Sequence, residues 1–303
     1  MNAIVEIKDL NKTIKSKHII KNLNLALYPG QITGFLGPNG AGKTTTIRMM
    51  TGLMKPTSGD VLINGQSIRN NYEEAIKHVG VIVENPEMYK FMTGYKNLVH
   101  FANMHKDISK QRIDEVVELM GLTNRIHEKV STYSLGMRQR LGLAQALLHK
   151  PKFLILDEPT NGLDPAGIKE LRQLLRKLAD EQQVSVLVSS HLLAEIELMC
   201  DKIAIIQNGE LTNIREMQAT EVSRYSMELQ GPAEELLQAL AYNFSSTDNL
   251  YTIEVEHKDV PSLITKLVQA NISIYSVLPY HESLEDQFLE MTGGGQIVEA
   301  HTK

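Results

Sequence analysis

The strongest constraint on the fold of this chain is a glycine-rich segment, Gly37 to Thr44 (GPNGAGKT), between a short apolar run and a helical pattern. The preceding residues, QITGFL, predict a buried strand, and the residues from about Lys43 predict a helix. Glycines let consecutive backbone N–H groups surround a phosphate chain, and the following helix offers its N-terminus to the same anion. The segment therefore predicts a phosphate-binding loop, with a flexible glycine-rich turn as the alternative. The predicted loop residues are Gly37, Pro38, Asn39, Gly40, Ala41, Gly42, Lys43 and Thr44.

Four side chains have specific expected roles in phosphate chemistry. We expect Lys43 to contact the β- and γ-phosphates, and the hydroxyl of Thr44 to bind Mg²⁺, because the metal bridges the same phosphates. The run FLILDE places Asp157 and Glu158 at the end of an apolar strand, where parallel sheets bind their ligands. There Asp157 can hold Mg²⁺ through a water, and Glu158 can polarise the water that attacks the γ-phosphate. The alternative is a pair of acids that merely ends a strand.

Two further polar residues stand at the ends of apolar patterns. His191 follows the strand-like run VSVLVSS, and it is either a structural residue or, as neutral imidazole, a hydrogen-bond donor to the γ-phosphate. Ser134 precedes an amphipathic helical pattern, so helix capping alone would explain it. The functional alternative is that Ser134, the N–H of Gly136 and the helix N-terminus bind a nucleotide phosphate. A second copy would then supply this surface, because the chain's own loop already occupies one side of its nucleotide.

The order of strand and helix patterns predicts an α/β core followed by a smaller domain. Alternating runs on both sides of the loop predict an antiparallel sheet, and helical spacing dominates from about residue 95 to 150. Continuous apolar runs around a helix at about residues 166 to 182 predict buried parallel strands. Strand patterns then alternate with helical patterns at residues 232 to 242, 259 to 270 and 283 to 292. We therefore predict two domains, over residues 1–215 and 216–303, the second of α+β class.

Composition excludes several classes of protein. Hydrophobic residues make up 42% of the chain and charged residues 22%, as in ordinary globular proteins rather than disordered ones. The formal net charge of -5 gives no overall attraction to nucleic acid. The single cysteine, Cys200, cannot form an internal disulfide, which suits the cytosol. The longest stretch without Asp, Glu, Lys or Arg, Asn22 to Gly42, contains two prolines and five glycines and predicts no membrane-spanning helix.

Together, the motifs resemble the ATP-binding subunit of ABC transporters over residues 1 to about 215. GPNGAGKTT, SLGMRQR, FLILDEPTNGLDP and SSH stand in the order that this family uses. The resemblance implies a P-loop NTPase ABC cassette with a mixed-sheet core, an antiparallel β subdomain, a helical subdomain and a small C-terminal accessory α+β domain. It also implies a head-to-tail dimer in which each ATP lies between the loop of one copy, Thr45 included, and Ser134–Gly136 of the other. NGLDP, residues 161–165, matches the loop that links the two sites.

Three features depart from the family pattern, at four positions. Where the family usually stacks an aromatic ring on adenine, this chain has Ile14, which implies loose adenine selectivity. Where the family usually has a glutamine that binds Mg²⁺, this chain has Glu84, whose carboxylate reaches the metal but adds negative charge beside the phosphates. In the signature segment, Leu135 and Met137 replace a glycine and a glutamine, while the residues expected to contact phosphate remain.

The YSLGMRQR segment and the Glu84 variant are similar to those of single-cassette exporters of the bacitracin and lantibiotic self-protection type. The tail, YHESLEDQFLEMTGG, resembles the accessory C-terminal domain of multidrug and antibiotic exporters. Our first hypothesis is a Mg²⁺-dependent ATPase that powers a separate integral membrane permease exporting an antimicrobial peptide or similar amphiphile. It would lie in the cytoplasm, peripherally on the inner face of the cell membrane, and residues near Glu84 to Tyr95 would receive a permease helix. Its other expected partner is a second copy or a related cassette, with no nucleic acid. The C-terminal domain either stabilises the dimer or senses substrate.

Two other functions remain open at this point. One is a soluble ABC ATPase that acts on DNA or ribosomes, which the single cassette and the lack of sustained heptads disfavour. The other is a nucleotide-dependent regulatory switch with little turnover, which Ile14 and Glu84 keep open. Measured phosphate release would distinguish the transporter ATPase from the regulatory switch. Co-purification of a membrane protein would favour the transporter ATPase, and co-purification of nucleic acid would favour the soluble ATPase.

Overall fold

Three β-sheets organise the residues that the computed structural model describes, which are 2–83, 86–105, 107–217 and 224–280. The chain divides into two units, Met1–Met217 and Gln218–Lys303. The strands of the first unit are β1 (Val5–Ile14), β2 (Lys17–Leu27), β3 (Ile32–Leu36), β4 (Ser58–Ile63), β5 (Gln66–Ser67), β6 (Val79–Ile82), β7 (Phe153–Asp157), β8 (Ser185–Ser190), β9 (Lys202–Gln207) and β10 (Glu210–Glu216). Its helices are α1 (Lys43–Met50), α2 (Tyr72–Ile76), α3 (Gly94–Ala102), α4 (Lys110–Leu119), α5 (Leu135–Leu147), α6 (Pro165–Gln182) and α7 (Leu193–Glu197).

The strands near the N-terminus form an antiparallel sheet in the order β2-β1-β4-β5. β1 and β2 form a hairpin, and the pair nearest its turn is Ile14 and Lys17. Register shifts interrupt the pairing along β1 between Ile7 and Thr13. Alternation along β2 buries Leu23, Leu25 and Leu27 on one face, as a sheet with one covered face requires. This sheet was expected from the alternating runs on both sides of the glycine-rich loop.

The central sheet has six strands in the order β10-β9-β3-β8-β7-β6. Its strands are parallel except β10, which runs antiparallel to β9. Every residue of β3, β7 and β8 is buried, because helices and strands cover both faces of a parallel sheet. β3, β8 and β7 are neighbours, so their carboxyl ends meet at one edge, where Asp157 pairs with Ser189 and Leu36 with Ser190.

The helix after β8 packs directly on the central sheet. A Cβ at Gly34 of β3 would lie 2.4 Å from Cγ2 of Ile196 on α7 and 3.1 Å from the sulfur of Cys200. Only glycine therefore allows α7 to approach this closely. Cys200 is buried in the same contact, and burial raises the pKa of its thiol above the ordinary value.

Over residues 224–280, which the structure describes, the second unit is an antiparallel sheet with two α-helices. In chain order its elements are β11 (Arg224–Gln230), α8 (Ala233–Ala239), β12 (Phe244–Thr247), β13 (Leu250–Glu254), α9 (Val260–Gln269) and β14 (Ser273–Pro279), and the strand order is β12-β13-β11-β14. This is the split βαβ arrangement. The helices expected at 232 to 242 and 259 to 270 correspond to α8 and α9, whereas the helix expected at 283 to 292 lies outside the described residues. The sequence patterns did not include β12.

Candidate functional site

The glycine-rich loop follows β3 directly, and two glycines set its path. Gly42 has a φ of 114°, and a Cβ there would lie 2.5 Å from Cδ1 of Ile20. At Gly37 a Cβ would lie 2.3 Å from the carbonyl oxygen of Ile206. Gly42 is the N-cap of α1 and has no side chain to cap it. The first N–H groups of α1 can therefore donate to an anion.

The ammonium of Lys43 is buried against this loop. It donates to the carbonyl oxygens of Gly37 at 2.6 Å and Pro38 at 3.5 Å, and lies 3.4 Å from Oε1 of Glu158. A buried ammonium is stable only with such partners. Lys43 thus presents a positive charge inside the loop that is predicted to surround the phosphates.

The two oxygens expected to bind Mg²⁺ lie next to each other. Thr44 Oγ1 donates to Asp157 Oδ2 at 3.1 Å, and Ser189 Oγ donates to Asp157 Oδ1. In the described part of the chain no group of three or more His, Cys, Asp or Glu could hold a metal ion by itself. Magnesium usually binds one or two protein oxygens and takes its other ligands from phosphates and water. This pair of hard oxygen ligands fits a Mg²⁺ ion shared with a bound phosphate chain.

Glu158 has a left-handed backbone conformation, with a φ of 51°. For a residue with a Cβ, this conformation is about 1–2 kcal/mol less stable than the right-handed one. The N–H of Glu158 donates to the carbonyl oxygen of Ser189 at 3.2 Å and to its Oγ at 3.0 Å, which holds the residue in place. Strained residues of this kind cluster at functional sites. The observation supports a functional rather than a merely strand-ending role for Glu158.

The carboxylate of Glu158 contacts both Lys43 of the glycine-rich loop and His191, which follows β8. Oε1 faces Lys43, and Oε2 lies 2.7 Å from Nδ1 of His191 and 3.4 Å from Nδ2 of Asn161. A carboxylate only accepts hydrogen bonds, so the proton of this contact is on Nδ1. The one proton of a neutral His191 is therefore committed to Glu158, and Nε2 donates to a phosphate only when the ring carries a second proton. In this arrangement donation from Nε2 to the γ-phosphate would need a second ring proton or a turned ring, and the role expected for His191 stays a prediction.

These residues line one cavity of about 540 Å³. It brings together most of the predicted loop with Asp157, Glu158 and His191, and Ala41 is buried beneath the loop. Sequence patterns missed Ile19, which also lines the cavity. The lining residues are Ile19, Pro38, Asn39, Gly40, Gly42, Lys43, Thr44, Thr45, Asp157, Glu158, Asn161 and His191.

Ser134 and Gly136 line a separate cavity of about 670 Å³ in the same unit. Ser134 is the N-cap of α5, where its hydroxyl accepts a hydrogen bond from the N–H of Met137 at 3.2 Å. The capping role expected for this serine is therefore present, and phosphate contact stays a prediction. Ile14 is exposed and lines neither cavity, and Glu84 lies outside the described residues.

Similarity to known proteins identifies the family. A sequence model of the ABC transporter family matches residues 20–161. The uncharacterised ABC transporter ATP-binding protein YhcH of Bacillus subtilis is 56% identical, over 97% of this chain and 97% of that protein. The bacitracin transport ATP-binding protein BcrA of Bacillus licheniformis is 40% identical, over 98% of this chain and 100% of that protein. The match with BcrA confirms the resemblance to bacitracin-type transport subunits.

A solved structure agrees with the expected fold class. The dimeric ATP-binding cassette MJ0796, in a post-hydrolysis state bound to ADP and Pi, is 25% identical, and the alignment covers 71% of this chain and 99% of that chain with a TM-score of 0.62. In the described residues of this chain, no helix is both long and apolar enough to cross a membrane. Fold, motifs and relatives agree, and the chain belongs to the family of ABC transporter ATP-binding proteins, the ATP-binding ATPase subunits of ABC transporters.

Proposed function

We propose that this chain is a Mg²⁺-dependent ATPase subunit that powers a separate membrane permease. The observation that carries the proposal is the single cavity in which the Glu158 carboxylate contacts both Lys43 and His191. Phosphate binding, metal ligation and activation of water need these residue types within a few ångströms of one another.

Each described side chain has a role in this proposal. The loop N–H groups and Lys43 bind the β- and γ-phosphates, and Glu158 accepts a proton from the attacking water. His191 orients the Glu158 carboxylate through Nδ1. Thr44 and Asp157 would hold Mg²⁺, which when bound neutralises charge on the phosphates.

A second cassette completes the site. Ser134 and Gly136 lie at the N-terminus of α5 and line a different cavity from the phosphate loop of the same copy. Head-to-tail association of two copies, or of this chain with a related cassette, would place this surface against the γ-phosphate bound by the other loop. Contacts from both copies to one γ-phosphate make the closed dimer more stable with ATP than with ADP.

An exposed aromatic surface supports the permease as partner. Phe91 is 71% exposed, and the ring of Tyr89 makes edge contacts with Phe91 and His100, at centroid distances of 5.8 and 5.2 Å. Buried Asn97 holds this segment, because it accepts from the N–H of Tyr89 at 2.9 Å and donates to its carbonyl oxygen at 3.1 Å. The rings are thereby presented outward on a fixed backbone, as a docking surface for an apolar helix requires.

The bacitracin transport relative supports an antimicrobial peptide or similar amphiphile as the exported substrate. The permease would carry that substrate across the membrane. This chain would bind the permease on the cytoplasmic face of the membrane. We assign the second unit an accessory role in this assembly.

Two measurements on the purified full-length chain test the proposal. The parent should release phosphate from ATP only when Mg²⁺ is present, and Lys43→Ala should neither bind nor hydrolyse ATP while keeping its circular dichroism spectrum. Phosphate release from the parent without Mg²⁺ would contradict the proposed metal role, and ATP binding without turnover would favour a regulatory switch.

The partner is tested by purifying the tagged chain from its own cells in mild detergent. We expect a polytopic membrane protein to co-purify, and Phe91→Ala to reduce its yield. Leu53→Ala is the matched control, because Leu53 is also exposed. We expect this variant to co-purify the membrane protein at the yield of the parent. Nuclease-sensitive recovery of DNA or ribosomes instead would exclude the permease model.

A further inference from the structure

Two backbone segments carry the side chains that meet at the centre of the phosphate cavity. Residues 158–161 follow β7 and begin with Glu158, and residues 190–192 begin at the last residue of β8 and include His191. The contact of 2.7 Å between Glu158 Oε2 and His191 Nδ1 joins one segment to the other. Its length therefore depends on how the two segments are held relative to each other.

One carboxylate outside the cavity contacts both segments. Glu195 lies in the first turn of α7 and is partly buried, and its Oε2 accepts a hydrogen bond from Thr160 Oγ1 at 2.5 Å. The same oxygen lies 3.5 Å from Oγ of Ser190, the residue directly before His191. Thr160 and Ser190 are both buried, and neither they nor Glu195 line the cavity. Glu195 thus connects the two segments without contacting the site that they form.

The chemistry of these groups fixes the direction of the contacts. A carboxylate only accepts hydrogen bonds, so both protons come from the hydroxyl groups. The bond from Thr160 has the length of a charge-assisted O–H···O⁻ bond and is the stronger of the two. Ser190 Oγ accepts from the N–H of Leu192 at 3.0 Å, and its own proton points to Glu195 or to the carbonyl oxygen of Leu192 at 3.4 Å. Ser190 therefore also ties the backbone on both sides of His191.

The position of α7 holds the Glu195 carboxylate in place. The next residue, Ile196, packs on Gly34 of β3, where a Cβ would lie 2.4 Å from Cγ2 of Ile196. At the other end of the contact, Thr160 lies inside a turn in which the N–H of Asn161 donates to the carbonyl oxygen of Glu158 at 3.2 Å. A shift of Thr160 would therefore move the backbone of Glu158.

We propose that Glu195 is a positioning residue for hydrolysis, because its carboxylate holds the two segments at the separation that directs Glu158 toward the attacking water. The inference rests on the proposed function of the phosphate cavity. Glu195 acts through Thr160 and Ser190, and its effect on the reaction passes through Glu158. A misplacement of about 1 Å caused by a change outside the reacting groups can cost about 10²-fold in rate. Loss of Glu195 should therefore lower kcat, while Lys43 and the loop still bind the nucleotide.

The first test measures kcat and KM of the full-length chain by phosphate release with Mg²⁺. Glu195→Ala should lower kcat by about 10- to 100-fold and change KM by less than about threefold. Glu195→Gln keeps an oxygen that accepts from Thr160, so its kcat should stay within about threefold of the parent. Glu197→Ala is the matched control, because it removes an exposed carboxylate from the same helix and should leave both constants unchanged. An unchanged kcat in Glu195→Ala, or an equal loss in Glu195→Gln, would overturn the inference.

Thr160 offers a smaller change to the same hydrogen bond. Thr160→Val removes the hydroxyl and should lower kcat as Glu195→Ala does, whereas Thr160→Ser retains the hydroxyl and should stay within about threefold of the parent. Equal kcat values for these two variants would contradict the proposed contact. This pair decides the question if circular dichroism shows that Glu195→Ala does not fold.

A double variant distinguishes positioning from an independent structural role. If the effect of Glu195 passes through Glu158, adding Glu195→Ala to Glu158→Gln should lower the residual turnover by less than about threefold. Full multiplication of the two losses would show that Glu195 acts independently of Glu158, and the inference would be refuted.

The parent protein separates this inference from the proposed function. If the parent releases no phosphate from ATP, the proposed function fails, and this inference fails with it. If the parent hydrolyses ATP and Glu195→Ala is equally active, only the inference fails.

Discussion

Glu158→Gln is the most informative substitution in the site, because it changes charge and basicity while it leaves size nearly constant. The amide oxygen of Gln can still accept the hydrogen bond that His191 Nδ1 gives to the carboxylate at 2.7 Å. The amide cannot take a proton from water. Since general-base assistance contributes about 10²–10⁴-fold, we expect ATP turnover to fall by that factor.

The same substitution should tighten ATP binding. Lys43 Nζ lies 3.4 Å from Glu158 Oε1, and both side chains are mostly buried, with 7% and 20% of their surfaces exposed. At an effective dielectric constant of about 20 this separation corresponds to about 5 kcal/mol of Coulomb attraction. Desolvation cancels much of that attraction, and a net effect of about 1–2 kcal/mol predicts affinity that is about five- to thirtyfold higher. In the variant, Lys43 no longer pairs with a carboxylate and can contact the phosphates. The negative charge of Glu158 beside the phosphates is also removed.

Affinity is measured by calorimetry with an imido ATP analogue, so that parent and variant are compared without hydrolysis, and turnover is measured by phosphate release. Glu210→Gln is the matched control, because it removes a carboxylate from the exposed ion pair with Lys21 at 3.0 Å. Exposed pairs contribute about 0–1 kcal/mol, so this control should leave turnover and affinity unchanged.

Two results would refute this reasoning. Turnover of Glu158→Gln within about tenfold of the parent would remove Glu158 as the base. Unchanged affinity for the analogue would mean that the contact between Lys43 and Glu158 does not compete with nucleotide.

Three further predictions concern the rest of the first unit. Gly34→Ala should lower the free energy of unfolding in urea by about 1–3 kcal/mol, because its Cβ would overlap Ile196 on α7; an unchanged value would show that α7 is free to shift. Burial holds the pKa of His149 below its ordinary value, so the unfolded chain binds more protons, and the free energy of unfolding should fall as the pH drops through about 6.5. His149→Gln should flatten that decline, and an identical pH profile would exclude His149 as its cause. Cys200 is buried and its thiol pKa is raised, so a disulfide reagent should label it only as fast as the protein unfolds; rapid labelling of native protein would show that α7 opens.

Features with a local signal were predicted from the sequence. The phosphate loop depends on glycines next to a short strand, and the helix expected from Lys43 begins at that residue. The buried strands β3, β7 and β8 were evident because parallel strands are apolar on both faces. The fold class followed from the order of these patterns.

Features that depend on distant contacts were not predicted. The left-handed conformation of Glu158 depends on Ser189 of the neighbouring strand, and no glycine or asparagine at that position signals it. Ile19 reaches the cavity through a register shift in the hairpin, which the alternation in IIKNLNLAL does not indicate. β12 has one apolar residue in FSST and forms because β13 pairs with it.

The backbone at Glu158 has a consequence for protein engineering. A library screened only for heat resistance should enrich glycine or asparagine at this position, because both tolerate the left-handed turn better than glutamate. Such variants would survive the screen as inactive nucleotide binders. Thermostable forms of this enzyme should therefore be selected by residual phosphate release after heating, with codon 158 held constant.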